Sequence, residues 1–166
     1  MRKVVALLGA LVVMLSIAVT GASGIDRPQT FSLLEVGIGN DTLLGGSEQG
    51  PPKPGDGFVS TSGLYKWAGR TRGARIGRDE VTCTFLRVSA TEQHFSADAH
   101  CTAEAFLPAG TILIEAILHF TDGPGRFEVP VIGGTGAYAN ARGFVRVRDL
   151  GNGEIGRTNL EFHLLP

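Results

Sequence analysis

From Thr30 onward, apolar and polar residues alternate in short runs, and no window of a dozen residues holds the 3.6-residue period of an amphipathic helix. The runs cover residues 31–36, 58–67, 80–89, 94–106, 111–120, 126–132, 142–150 and 158–165. Turn-forming segments at 90–93, 107–110, 121–125, 133–141 and 151–156 separate most of them. A Gly-, Pro- and Asp-rich stretch, 37–57, reads as the one long loop, and 68–77 reads as a basic, Gly-rich connector. Most of these connections are too short for crossover helices, so neighbouring strands must run antiparallel. Eight sequential strands close most economically as an all-β, calycin-like up-and-down barrel, which leaves no open sheet edge. A two-sheet sandwich of immunoglobulin type is the alternative. It would place the two cysteines on facing sheets, whereas here they fall on consecutive strands.

Alternation is cleanest in the fourth run. Phe95, Ala97, Ala99, Cys101, Ala103 and Ala105 share one face, opposite His94, Ser96, Asp98, His100, Thr102 and Glu104. Small residues along an inner wall leave room for a ligand or let that wall pack against another element. The pattern leaves both readings open.

The first residues depart from this pattern. Arg2 and Lys3 precede an apolar run to Val19, and Ala22, Ser23 and Gly24 follow it. This is the form of a secretory signal peptide, too short for the roughly 20 apolar residues of a permanent anchor. Cleavage is expected near Ala22 or Gly24, dividing the chain into a leader, 1–24, and one exported domain, 25–166. Export as a secreted protein leaves no membrane association once the leader is removed.

Composition narrows the function classes. The chain holds 24 Gly and 8 Pro, yet 43% of its residues are hydrophobic and 19% charged, enough apolar surface to fold. Its formal charge of −1 becomes −3 without Arg2 and Lys3, so no basic surplus exists to follow a phosphate backbone, and nucleic acid is not an expected partner. Gly134–Thr135–Gly136–Ala137–Tyr138–Ala139 has the spacing of a dinucleotide fingerprint. The residues after it alternate as a strand rather than opening a helix, which excludes that chemistry. No G-x-S-x-G is present, and His94, His100, His119 and His163 lie on strands without the convergence a metal needs, so no metal and no cofactor is expected. Arg142, Arg146 and Arg148 form an exterior charge row, able to pair with Glu161 or to meet an acidic ligand. Asn40–Asp41–Thr42 fits a glycosylation sequon.

In an oxidising compartment Cys83 and Cys101 are expected to form a disulfide. If they face each other across a hairpin, Phe85 faces Ala99 and the turn centres on Glu92, inside the turn segment already assigned at 90–93. Non-hydrogen-bonded antiparallel partners sit about 4.5 Å apart between Cα atoms, within the range a disulfide spans.

Val131–Ile132–Gly133–Gly134–Thr135–Gly136 followed by Ala141–Arg142–Gly143 resembles the signature of plant dirigent proteins. Gly55–Asp56, Thr61, Leu64–Tyr65, Arg75–Ile76–Gly77 and Cys83 resemble allene oxide cyclases, members of the same barrel superfamily. Together with 31–36 these cover most of the mature domain. Both resemblances imply an eight-stranded antiparallel barrel with a ligand cavity. The cyclase resemblance implies a Glu and an ordered water near the mouth, with the Glu falling on Glu35, and it does not imply a bridged Cys83. Two further cyclase positions are changed, to Gly37 and Ser62. Asn40–Asp41–Thr42–Leu43 resembles the acidic loop of dirigent proteins and implies Asp41 as a ligand-binding residue.

Glu35 shares strand parity with Phe31 and Leu33, but Leu34 and Val36 are apolar as well, so periodicity allows either face to be buried. The resemblance places Glu35 inside as the catalytic candidate, with Ser62 and Phe85 lining the same cavity. The expected function is that of an isomerase, cyclase or dirigent-like stereochemical guide for an apolar unsaturated small molecule. A non-catalytic, lipocalin-like binding barrel is the alternative, and a filled barrel acting as a homo-oligomer is the third reading.

Overall fold

The computed structural model describes residues 24–38, 42–45, 50–68, 71–91, 94–122, 125–151 and 156–166. The leader expected at 1–24 (all but Gly24) and Asp41, with most of its sequon, lie outside these residues. Nine strands follow in order: β1 (Gln29–Gly37), β2 (Thr42–Leu44), β3 (Gly57–Ala68), β4 (Thr71–Ala90), β5 (Phe95–Leu107), β6 (Gly110–Thr121), β7 (Arg126–Gly134), β8 (Arg142–Asp149) and β9 (Arg157–Leu165). β1 pairs with both β9 and β3, which closes eight antiparallel strands into a barrel. The ninth, β2, adds to β3 through Thr42–Val59, Leu43–Phe58 and Leu44–Gly57.

Two segments differ from the sequence expectation. The stretch 68–77 is not a connector, because β3 and β4 continue as a paired ribbon out to Trp67–Arg72 and Ala68–Thr71. Gly73 and Gly77 serve close approach rather than looseness: a Cβ on Gly77 would lie 2.2 Å from the Phe106 carbonyl oxygen. The long loop 37–57 contributes β2, three exposed residues whose pairing with β3 gives them their place.

The glycine-rich signature closes one end of the barrel. Gly136 begins a single 3-10 turn (Gly136–Tyr138) with φ of 59°, and a Cβ there would meet the Ala109 carbonyl oxygen at 2.4 Å. Thr135 ties this turn to β6: its N–H donates to the Thr111 carbonyl at 2.8 Å and its Oγ1 accepts from the Thr111 N–H at 3.0 Å. The motif is a backbone clasp, as its lack of a following helix suggested. Beneath it Ile25, Leu33, Leu64, Ile112, Val131, Ala141, Phe162 and Leu164 pack as the main core and plug this end.

Toward the other end the barrel loosens. The β6–β7 ladder holds Ile112–Gly134, Leu113–Gly133 and Ile114–Val131, is interrupted by a bulge, and ends there among the described residues. The next residue of β7 is Pro130, which has no N–H to donate. The inner face of β5 serves both purposes left open by its small side chains. Ala97 and Ala99 are buried against the cluster that holds Phe58, Phe85 and Phe120, Ala105 joins the main core, and Cys101 and Ala103 face a cavity between them.

Candidate active site

The cavity measures about 260 Å³, and its walls are almost wholly apolar: Val81, Ile114, Leu118, Val129, Val145 and Leu160 carry much of it. Phe58, Phe120 and Phe127 stand toward the loose end, with ring centroids 6.4 Å apart for Phe58–Phe120 and 5.9 Å for Phe120–Phe127. There the cavity shares Phe120, Phe127, Val147 and Thr158 with a more polar pocket of about 360 Å³, bordered by His119, Thr121, Arg126 and Asp149.

Against these walls sit two carboxyl groups. Glu35 on β1 and Asp79 on β4 both line the cavity, with β3 between their strands. Glu35 lies opposite Thr158 of β9, and Ser62 of β3 pairs with Asp79. The Ser62 Oγ–H donates to Glu35 Oε1 at 3.1 Å. Alternation along each strand produces this convergence. Glu35 follows Phe31 and Leu33 inward, and Asp79 lies two and four residues before Val81 and Cys83 on the same face.

Burial dominates the electrostatics. Removal from water, helped by the neighbouring Asp79 charge and opposed by the Ser62 and Thr158 hydroxyls, pushes the Glu35 carboxyl up to about 8. Asp79 is only 5% exposed, and burial raises it to about 6 against the hydrogen bonds that hold its charged form. Asp79 Oδ1 is buried with no hydrogen-bond partner among the described residues. A hydrogen bond between the two carboxyl groups raises Glu35 and lowers Asp79. Near neutral pH the pair therefore holds one proton, with Glu35 the acid and Asp79 the carboxylate.

The site residues expected from the sequence fall as follows. Glu35 lines the cavity, and Ser62 is buried behind it as its hydrogen-bond donor. Phe85 does not line the cavity, which corrects its expected place. Its ring backs Phe58 at 6.0 Å and Phe120 at 6.5 Å, and it borders a small outer pocket with Leu43, Pro52 and Asp56. The segment before β3 holds it there, since the Phe85 N–H donates to the Asp56 carbonyl and its own carbonyl accepts from Gly55 N–H, both at 2.8 Å. Cys83 and Cys101 are disulfide-bonded partners with Cα atoms 4.1 Å apart, and both face the cavity.

Asp79 was not anticipated. Its signal was parity with Val81, Cys83 and Phe85, hidden because the strand was taken to begin at Glu80. The histidine-bearing face of β5 holds surface hydrogen-bonded pairs, His100–Glu115 at 2.7 Å and His119–Asp98 at 2.6 Å. Arg146 pairs on the outer wall with Glu128 at 3.2 Å and Glu161 at 3.9 Å.

Residues 40–162 match the family model described as the allene oxide cyclase barrel like domain. Comparison with curated proteins finds no match. Among solved structures, the chain is similar to a pyocyanin demethylase at 23% identity and TM-score 0.60, covering 80% of this chain and 98% of that one. It is similar to an exo-specific intermolecular Diels-Alderase at 15% identity and TM-score 0.59, covering 82% and 98%. A pterocarpan synthase dirigent protein follows at 16% identity and TM-score 0.54, covering 82% and 86%. At these identities the likeness is one of fold, and it includes dirigent proteins, one side of the resemblance read from the sequence. With the family model spanning most of its length, the chain belongs to the allene oxide cyclase barrel-like family.

Proposed function

We propose that this is an exported enzyme that rearranges or cyclises an apolar, unsaturated small molecule inside the barrel. The observation that carries the reading is the proton-sharing Glu35–Asp79 pair at the wall of an otherwise apolar cavity. Two buried carboxyls weaken the fold near neutral pH, a cost that a wholly apolar lining would avoid. A neutral carboxyl in a water-poor site is instead a competent hydrogen-bond donor or general acid. Glu35 would donate to an oxygen of the substrate as charge develops there, Asp79 would support the positive side of the reacting system, and the proton would return to Glu35 at the end. The reaction is then an isomerisation, with no atom gained or lost. The cavity walls would select product by restricting the substrate's conformers. The names of the structural neighbours, which include cyclising and dirigent proteins, support this class of chemistry. Export is supported by the leader-like sequence of residues 1–24 and by the Cys83–Cys101 disulfide.

The test uses purified mature protein incubated with a small-molecule extract, apolar and basic fractions included, of the organism that makes it, with products resolved by mass spectrometry and chiral chromatography. A compound converted by the wild type and converted at least tenfold more slowly by Glu35→Gln, with its binding little changed, is the expected result. Ligands that bind without conversion by either protein would establish the carrier instead.

A further inference from the structure

The cavity carries an unbalanced charge. Its only ionisable lining residues, among those described, are Glu35 and Asp79, and neither is lowered by a neighbouring cation. Arg126 borders the adjoining, more polar pocket beside Asp149 rather than the cavity wall. One shared proton leaves the pair at net −1 inside apolar walls, a state that burial disfavours unless a positive partner arrives. Asp79 adds a second, independent sign of a ligand. It is 5% exposed, it faces the cavity, and its Oδ1 has no hydrogen-bond partner among the described residues.

We propose that the cavity is selective for a ligand with an apolar, ring-sized body and a positively charged nitrogen, whose N–H meets Asp79, and that it rejects carboxylates. This deepens the proposed function by naming the substrate class, and it rests on the cavity being a ligand site. Charge sets the sign of the selection. A carboxylate entering the cavity would face two acidic groups with no counter-ion, whereas an ammonium group replaces the missing donor at Oδ1 and neutralises the pair. Volume sets the size. At about 260 Å³ the cavity lies at the small end of ligand pockets, so a bicyclic body fits and anything longer must reach into the outer pocket.

Isothermal titration at pH 7 with three probes of one body tests this: 2-naphthylmethylammonium, 2-methylnaphthalene and 2-naphthoate. The ammonium probe is expected to bind at least tenfold tighter than the methyl probe, with naphthoate weakest. In Asp79→Asn the ammonium advantage should fall to within about threefold, while Glu35→Gln, which keeps the Asp79 charge, should retain it. Naphthoate binding as tightly as the ammonium probe in the wild type would overturn the inference and leave the cavity as a ligand site. An ammonium preference unchanged in folded Asp79→Asn would also overturn it. Failure of all three probes to bind would remove the ligand-site reading, and this inference with it.

Discussion

Asp79→Asn is expected to make the protein more stable at neutral pH and to flatten its dependence on pH. In the folded chain Asp79 binds its proton up to about pH 6, whereas an unfolded Asp releases it near 3.8. Between those values the folded state holds more protons than the unfolded state, so stability falls as pH rises. A shift of about two units corresponds to about 3 kcal/mol, lost in full by pH 7. Asn has the same shape and no charge, so it avoids that loss at the expense of the proton shared with Glu35. Glu35 adds a further loss of the same sign between pH 4.5 and about 8. For a domain of this size about 3 kcal/mol corresponds to roughly 6–12 °C in melting temperature. The assay is urea unfolding of wild type, Asp79→Asn and the Glu35→Gln/Asp79→Asn double variant from pH 4 to pH 8. Taking differences from the double variant removes every other titrating group. The wild type should lose stability relative to it across that range, with Asp79→Asn in between. A wild type whose stability stays level with the double variant, or rises above it, would show that the carboxyls are solvated and would refute the reasoning.

Three further outcomes follow from the geometry. Ser62→Ala removes the donor to Glu35 Oε1, so the Glu35 carboxyl should titrate still higher and the fold should lose about 1 kcal/mol, read by pH-dependent infrared absorption and urea unfolding. Reduction of Cys83–Cys101 opens a loop spanning a sequence separation of 18 and should cost about 3 kcal/mol, seen as a lower melting temperature in reductant that a Cys83→Ala/Cys101→Ala variant no longer shows. Gly136→Ala combines positive φ with a 2.4 Å approach to the Ala109 carbonyl oxygen, and by calorimetry it should destabilise the protein by more than the roughly 1 kcal/mol that the left-handed backbone alone implies.

Periodicity and turn chemistry made the barrel legible, because each strand keeps its alternation and each hairpin its short turn. The cysteine register is a sharp case. Cys83–Cys101 and Phe85–Ala99 pair as the hairpin arithmetic requires, and a bulge beside Leu86 then shifts the next pair to Arg87–Asp98. Parity failed at β1 for a physical reason. Leu33 faces the core and Leu34, pointing the other way, is also fully buried, so hydrophobicity marks neither side. The family resemblance, not the pattern, indicated an inward Glu35. Phe85 shows the other limit: parity says which face a side chain takes but not how far along the barrel the cavity extends, and Phe58 and Phe120 fill the space before it. Asp79 was obscured by the Arg- and Gly-rich stretch before it, which reads as a connector until the pairing of β3 with β4 makes it strand.

The claim on which the account turns is that Glu35 is a neutral acid inside the barrel at physiological pH. Infrared spectroscopy of the wild type and Glu35→Gln in heavy water measures it most directly. The wild type should show a protonated-carboxyl C=O band at pD 7, absent from Glu35→Gln and lost from the wild type only as pD rises past about 8. A wild-type spectrum at pD 7 with every carboxyl ionised would contradict it.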